Sequence, residues 1–263
     1  PGEVKELYKI MRKLIAEGKT IIFITHKLQE VLDIADNITV IRAGKNVGEM
    51  SVGEATKEKI ANGMVGRKVL FEIERKEVKK GDKLVDVKGL NIKNDKGLNA
   101  VKNLSFEIYE GEILGVAGVE GNGQTELVEA LTGLRKIESG EITVGGEMVT
   151  NKSPRDITVC GVAHVPEDRH KRAAVSEYSV CYNLALGVHR DKYKKGMFLN
   201  FKQMDKEAYE NMEKYDIRPR NIKNMFGSLS GGNQQKVIVT RELEKKHRFF
   251  IASQPTRGVD IGA

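Results

Sequence analysis

Gly118-Val119-Glu120-Gly121-Asn122-Gly123-Gln124-Thr125 lies between an apolar run, Glu112 to Ala117, and a helical pattern from Thr125 to Leu134. The run before it follows the turn residue Gly111 and predicts a short buried strand. Strand, glycine-rich loop and helix in this order form the setting of a phosphate loop. The glycines let backbone N–H groups wrap phosphates, and the helix N-terminus adds a favourable dipole. The usual pattern ends in Gly-Lys-Ser/Thr, and here Gln124 stands at the lysine position. The same glycines would also serve an ordinary turn, so the loop gains meaning only from what surrounds it.

Downstream, Leu229-Ser230-Gly231-Gly232-Asn233-Gln234-Gln235-Lys236 opens another helix. Its first N–H groups could bind an anion, and Ser230 is also the residue type that caps helices in any protein. Next comes Phe249-Phe250-Ile251-Ala252-Ser253-Gln254-Pro255-Thr256-Arg257-Gly258-Val259-Asp260. Four apolar residues followed by two polar ones and Pro-Thr match a strand that normally ends in Asp-Glu. There the Asp holds magnesium through water and the Glu polarises the attacking water. Ser253 and Gln254 occupy those two positions. Upstream, Ile22-Phe23-Ile24-Thr25 ends at His26, which at the end of a buried strand could reach a γ-phosphate.

Phosphate loop, Leu-Ser-Gly-Gly helix and apolar strand with Pro-Thr, in this order, resemble the ABC transporter ATPases. Pro166-Glu167-Asp168-Arg169 with the Leu-Ser-Gly-Gly-Asn-Gln-Gln run looks like the double-domain ATPases of sugar and nucleoside importers, and residues 118–127 with 253–258 look most like the nucleoside branch. The resemblance covers nearly the whole chain. It implies an α/β fold, namely a P-loop, RecA-like nucleotide-binding domain with an antiparallel β subdomain and a helical subdomain. It also implies ATP and Mg2+ as cofactors. Gly118, Glu120, Gly121, Asn122, Gly123, Gln124 and Thr125 would hold nucleotide, Thr125 also the metal. Ser230, Gly231, Gly232, Asn233 and Asp260 would bind across a pair of domains. His26 and Gln254 (at the degenerate carboxylate position) would face the reacting phosphate, and Glu167 (at the position of the family's coupling glutamine) would lie close to the permease contact and couple it to the site. The implied partners are two transmembrane permease subunits, an extracytoplasmic substrate-binding protein and a second nucleotide-binding domain, with no nucleic acid, at the cytoplasmic face of a membrane.

The order of parts is unusual for that family, because His26 precedes the phosphate loop. Residues 1–65 therefore resemble the C-terminal part of a first nucleotide-binding domain. Residues 66–82 read as a linker, since Glu72 to Lys83 is dense in charge. Residues 83–263 resemble a second domain that is truncated after the D-loop, the loop at Asp260 that runs between paired domains. The signature at Leu229 to Asn233 would then complete the first domain's site, together with His26. The site on Gly118 to Thr125 would be the weak one: losing the lysine removes roughly 1.5–3 kcal/mol, and losing a positioned base costs about 10²–10⁴ in rate. No aromatic residue for an adenine ring occurs in Lys93 to Leu98. A regulatory module that binds nucleotide without hydrolysis, and a soluble ABC protein acting on nucleic acid, are the competing readings.

Coarser patterns fill in the rest. Val4, Leu7, Met11, Leu14 and Ile15 recur at helical spacing up to Gly18. Thr20 to Thr25 predicts a buried strand, Leu28 to Ala35 a helix, and Ile38 to Ile41 a strand, together a βαβ unit with a parallel sheet. A helix is expected around Lys57 to Met64. Leu84 to Val87 and Leu104 to Ile108 alternate as antiparallel strands do. Asp191 to Tyr215 reads as polar helix, and Phe249 to Ala252 as a last buried strand.

With 40% hydrophobic and 31% charged residues in 263, the chain is a globular protein with a real core and not a disordered one. Apolar runs such as Ile21 to Ile24 are too short to span a bilayer. Two cysteines, Cys160 and Cys181, are too few for a disulfide framework and point to a reducing compartment. The net charge of +7 is spread among acids and decides little. Pro1-Gly2-Glu3-Val4 reads as the interior of a longer chain.

Overall fold

The computed structural model describes residues 2–68 and 78–259, which fall into two compact units divided between these stretches. The central part of the expected linker, residues 69–77, and Asp260 lie outside the described residues.

The first unit opens with α1 (Gly2–Ala16), whose apolar stripe matches the helical spacing in the sequence. Gly18 follows at φ +79°, a left-handed conformation that ends a helix cheaply only with glycine. Two short helices, α2 (Leu28–Ile34) and α3 (Lys57–Val65), flank a hairpin of β1 (Asn37–Arg42) and β2 (Lys45–Ser51). Ala43 and Gly44 turn the hairpin with φ of 50° and 74°, the two left-handed residues that a tight β-turn of this hand requires. Thr56 caps α3 by accepting from the Lys59 N–H at 3.2 Å. Leu28, Ile38, Val40, Ile60 and Ala61 form the small core.

Two expectations fail here. β1 pairs antiparallel with β2, so the first unit contains a hairpin and no parallel βαβ sheet among its described residues. Thr20 to Thr25 joins no ladder, and Ile22 and Ile24 are 88% and 91% exposed. An apolar run becomes a buried strand only when a neighbour pairs its backbone and covers its faces. The one described ladder of this unit pairs β1 with β2 alone, and Thr20 to Thr25 does not add to either of its edges.

The second unit is built around a four-stranded antiparallel sheet. β3 (Lys83–Lys93) lies between β4 (Asn99–Tyr109) and β5 (Ser139–Val144), and β6 (Glu147–Met148) extends the far edge. α4 (Gln124–Leu131) contributes Leu127, Ala130 and Leu131 to the same core as Val85, Leu90 and Ile142. α5 (Pro154–Val159), capped by Ser153, leads into β7 (Val162–Val165). β7 pairs in parallel with β10 (Phe249–Ala252), which joins residues far apart in sequence.

Between β7 and β10 the chain forms a helical part with its own core. It contains α6 (Val180–Ala185), α7 (His189–Lys192), a hairpin of β8 (Lys194–Lys195) and β9 (Phe198–Leu199), α8 (Phe201–Lys214) and α9 (Gly231–Leu243). The helix expected over Asp191 to Tyr215 is thus two helices with a hairpin between them, because Gly196 at φ 61° turns the chain. Antiparallel sheet, parallel pair and helical part together bear out the α/β class. Glu112 to Ala117 is the second strand that does not form: it joins no ladder, and Ile113 and Val116 are 81% and 60% exposed. Among the described residues the parallel ladder holds β7 and β10 alone, so no third strand pairs this run.

Candidate functional site

The glycine loop forms even though the strand before it does not pair. Gly121 and Gly123 have φ of 90° and 94°, and Gly123 is the N-terminal cap of α4. A Cβ on Gly123 would stand 2.6 Å from the Ala100 carbonyl oxygen, so β4 passes too close for any other residue. Gln124 folds its amide back over Gly118. Glu120 and Asn122 stay on the exposed loop, and Thr125 is exposed on the first turn of α4. The loop therefore keeps a backbone cradle that suits phosphate oxygens, while its side chain at the lysine position is neutral.

A second cluster joins three stretches. Gln254 Nε2 donates to Glu167 Oε1 at 3.0 Å, and the Arg257 guanidinium pairs with the same oxygen. Gln254 sits at φ 45°, a left-handed conformation that costs a non-glycine residue about 1–2 kcal/mol. Its neighbour Ser253 has a buried hydroxyl with no hydrogen-bond partner among the described residues. Arg169 Nη1 donates to the Arg257 carbonyl at 3.2 Å. Asp168 caps the turn Arg169–Ala173 by accepting from the Lys171 and His170 N–H groups, which holds its carboxyl below the usual range.

The signature helix meets this cluster at its start. A Cβ on Gly231 would stand 2.9 Å from the Gly258 carbonyl oxygen and 3.0 Å from Arg169 Nη2. Ser230 is the N-cap of α9, but its hydroxyl makes no cap hydrogen bond and accepts instead from Asn233 Nδ2 at 2.9 Å. Asn233 Oδ1 in turn accepts from the Arg218 N–H at 2.7 Å. Gly232 is buried. Further along α9, Arg241 donates to the Ala173 carbonyl at 2.8 Å, and Glu242 accepts from the His164 N–H at 3.2 Å. This anchors the signature helix to β7 and to the turn that follows it.

One link runs from the glycine loop toward the same turn. Glu129 on α4 is buried, and its carboxylate pairs with Arg135 at 2.7 Å and Arg172 at 2.5 Å. Arg135 continues to Asp95 at 2.7 Å on the β3–β4 connection. Sequence reasoning missed Glu129 and Arg172, because both look like ordinary surface charges. The available signal was a carboxylate among apolar positions of α4.

A cavity of about 180 Å³ opens beside this region, lined among others by Thr132, Pro154, His164, Pro166 and Arg172. Burial pushes the His164 imidazole down to about 4, and its Nε2 has no partner among the described residues. Burial opposes the charge of Glu242, yet Lys245 and Arg241 hold it below the usual range.

The structure thus brings Glu167, Gln254 and Gly231 into one cluster, while the glycine loop leads into α4. His26 belongs to the first unit, where it is exposed just before α2. The donors for magnesium do not fit a firmly held ion. Thr125 and Ser253 are neutral hydroxyls, and the Glu167 carboxylate is already engaged by Arg257 and Gln254.

A family profile described as ABC transporter matches residues 101–257. The nucleoside import ATP-binding protein NupA of Lactococcus lactis subsp. cremoris is 47% identical over 264 residues, covering 100% of this chain and 52% of that protein. The guanosine import ATP-binding protein NupO of Bacillus subtilis is 42% identical over 100% of this chain and 52% of its own length. The chain spans about half the length of the curated relatives it matches. Among solved structures, the dimeric ATP-binding cassette MJ0796, in a post-hydrolysis state with ADP and Pi, aligns with a TM-score of 0.58 at 23% identity, covering 68% of this chain and 78% of that one. That likeness speaks for the fold, a P-loop cassette, while the profile and the relatives speak for descent. The chain belongs to the ABC transporter family.

Proposed function

We propose that this chain is part of the ATP-binding subunit of an importer for a nucleoside or simple sugar. It works at the cytoplasmic face of the membrane with two permease subunits and an extracytoplasmic binding protein. No helix among the described residues is long and apolar enough to cross a membrane. Residues 1–65 act as the end of a first nucleotide-binding domain, 66–82 as a linker, and 83–263 as the front of a second. The likeness to the nucleoside importer subunit NupA and the guanosine importer subunit NupO supports nucleoside uptake.

Within that subunit, the site on Gly118 to Thr125 holds nucleotide and turns it over poorly. One observation carries this reading: Gln124 stands where the charged lysine belongs and folds over Gly118. Ser253 and Gln254 remove the carboxylates that would hold magnesium and polarise water. The signature at Ser230 to Asn233 serves the opposite nucleotide, with His26 and Asp260 assigned to the paired interface. A permease element that docks near Pro166 would find the cavity beside it, and the turn 169–173 leads from there to Glu129 on α4.

The test is ATP binding and single-turnover hydrolysis by the purified chain with magnesium. Binding without phosphate release is expected. Turnover that disappears in Gln124→Ala would overturn the degenerate assignment, because the site would then find its catalytic groups elsewhere.

A further inference from the structure

The helical part of the second unit carries a feature that nucleotide chemistry does not use. The β8–β9 hairpin projects Met197 and Phe198, which are 92% and 77% exposed, and Phe201 beside them is 54% exposed. The hairpin is firmly placed. Lys194 pairs with Leu199 and Lys195 with Phe198, and the Asn200 N–H donates to the Tyr193 carbonyl at 2.8 Å. Tyr193 is buried and donates its O–H to Glu207 at 2.8 Å, while Lys192 pairs with Glu207 at 2.7 Å. Two large apolar side chains on a fixed turn cannot fold back onto the protein, so they stay in water until something covers them.

What surrounds them names the cover. Residues 189–206 hold six Lys and Arg against two Asp, and of the six, Lys192 and Lys206 pair with Glu207 and Glu210 just beyond. Lys194 and Lys195 lie directly behind the apex, exposed, and have no carboxylate partner among the described residues. Apolar apex and basic shoulder form the pattern of a contact with an anionic lipid interface. Rings and thioethers enter the acyl boundary, and lysine stems reach back to the headgroups. A surface for nucleic acid would place its cations at the apex, facing phosphates, and here the apex is a thioether and a phenyl ring. We propose that the β8–β9 hairpin is a lipid contact that seats this unit on an anionic bilayer through Met197, Phe198, Lys194 and Lys195. The hairpin contains none of the residues of the nucleotide site, and the test contains no nucleotide.

The full 263-residue chain is floated with vesicles of phosphatidylcholine alone and of phosphatidylcholine with phosphatidylserine, at low and high salt. Binding should require phosphatidylserine and weaken with salt. The pair Lys194→Gln and Lys195→Gln should lower affinity roughly 30-fold. Met197→Ser with Phe198→Ser should lower it at least tenfold. All four positions are exposed, so thermal unfolding checks that each variant is folded. The chain has no tryptophan, so Met197→Trp supplies a single reporter whose emission should shift to the blue when vesicles bind. Equal binding to both vesicle types, or none, overturns the proposal. So does binding that both pairs leave unchanged, or a reporter that stays water-like on bound vesicles. Single-stranded RNA binding that the lysine pair abolishes, with no vesicle binding, assigns the hairpin to nucleic acid instead.

Discussion

Gln254 Nε2 donates to Glu167 Oε1 at 3.0 Å, across 87 residues of sequence. The contact ties the loop after β10 to the loop after β7. Arg257 shares the same carboxylate oxygen. The polar ends of the only two parallel strands among the described residues therefore hold each other, and Glu167 is spent on that link.

Glu167→Ala should release both partners. The Arg257 side chain is 53% exposed, so the lost pair costs less than about 1 kcal/mol of stability. Local order should suffer more than global stability. Hydrogen exchange of the amides from Ser253 to Gly258 should quicken while the midpoint of urea unfolding barely moves. Unchanged exchange would show that the contact does not hold the loop.

Gln124→Lys should restore a charged partner for phosphate and tighten ATP binding by about tenfold or more. Turnover should stay low, because Ser253 and Gln254 still replace the carboxylates. Calorimetric titration together with single-turnover phosphate release separates the two effects.

Gly123→Ala should fail twice. The residue sits at φ 94°, and the added Cβ would meet the Ala100 carbonyl oxygen at 2.6 Å. Left-handed strain alone costs about 1–2 kcal/mol. Thermal unfolding should begin at a lower temperature, and nucleotide binding should be lost with the cradle. A variant that keeps both would mean that β4 moves aside.

Glu129→Gln keeps the shape of the buried side chain and removes its charge. Arg135 is then left 17% exposed without its full partner. Breaking a buried pair on one side costs about 3 kcal/mol. Urea unfolding reads the loss, and Glu129→Asp should recover less than half of it because the shorter arm cannot span both arginines.

The His164 imidazole titrates near 4 in the fold, lowered by burial from its ordinary 6.5. The unfolded chain takes up the proton first as pH falls, so this group's contribution is complete above about 6.5 and drains away toward 4. Stability at pH 5 should be about 2 kcal/mol below that at pH 7. Glu242 is also held low and loses its contribution only in more acidic solution. His164→Gln should flatten the slope between pH 7 and pH 5. An unchanged slope in this variant would assign the titration to other groups.

Much of this was legible in residues 118–125, 229–236 and 249–260, because their order and spacing carry the family likeness by themselves. Local chemistry was equally readable: Gly18 and Gly111 stop or turn the chain at positive φ, and the patterns at Leu84 to Val87 and Leu104 to Ile108 marked the antiparallel strands β3 and β4, although Leu84 to Val87 are buried on both faces instead of alternating. The loss of lysine and carboxylates at Gln124, Ser253 and Gln254 needed only the alphabet. Tertiary structure alone decided the rest. Thr20 to Thr25 and Glu112 to Ala117 have the composition of buried strands, yet composition cannot supply the neighbouring N–H and C=O groups that a ladder requires, and both runs remain unpaired. Nor could sequence show that Glu167 meets Arg257, or that Glu129 meets Arg172. Such pairs depend on where loops end in space, and a surface charge and a buried link are written with the same residues.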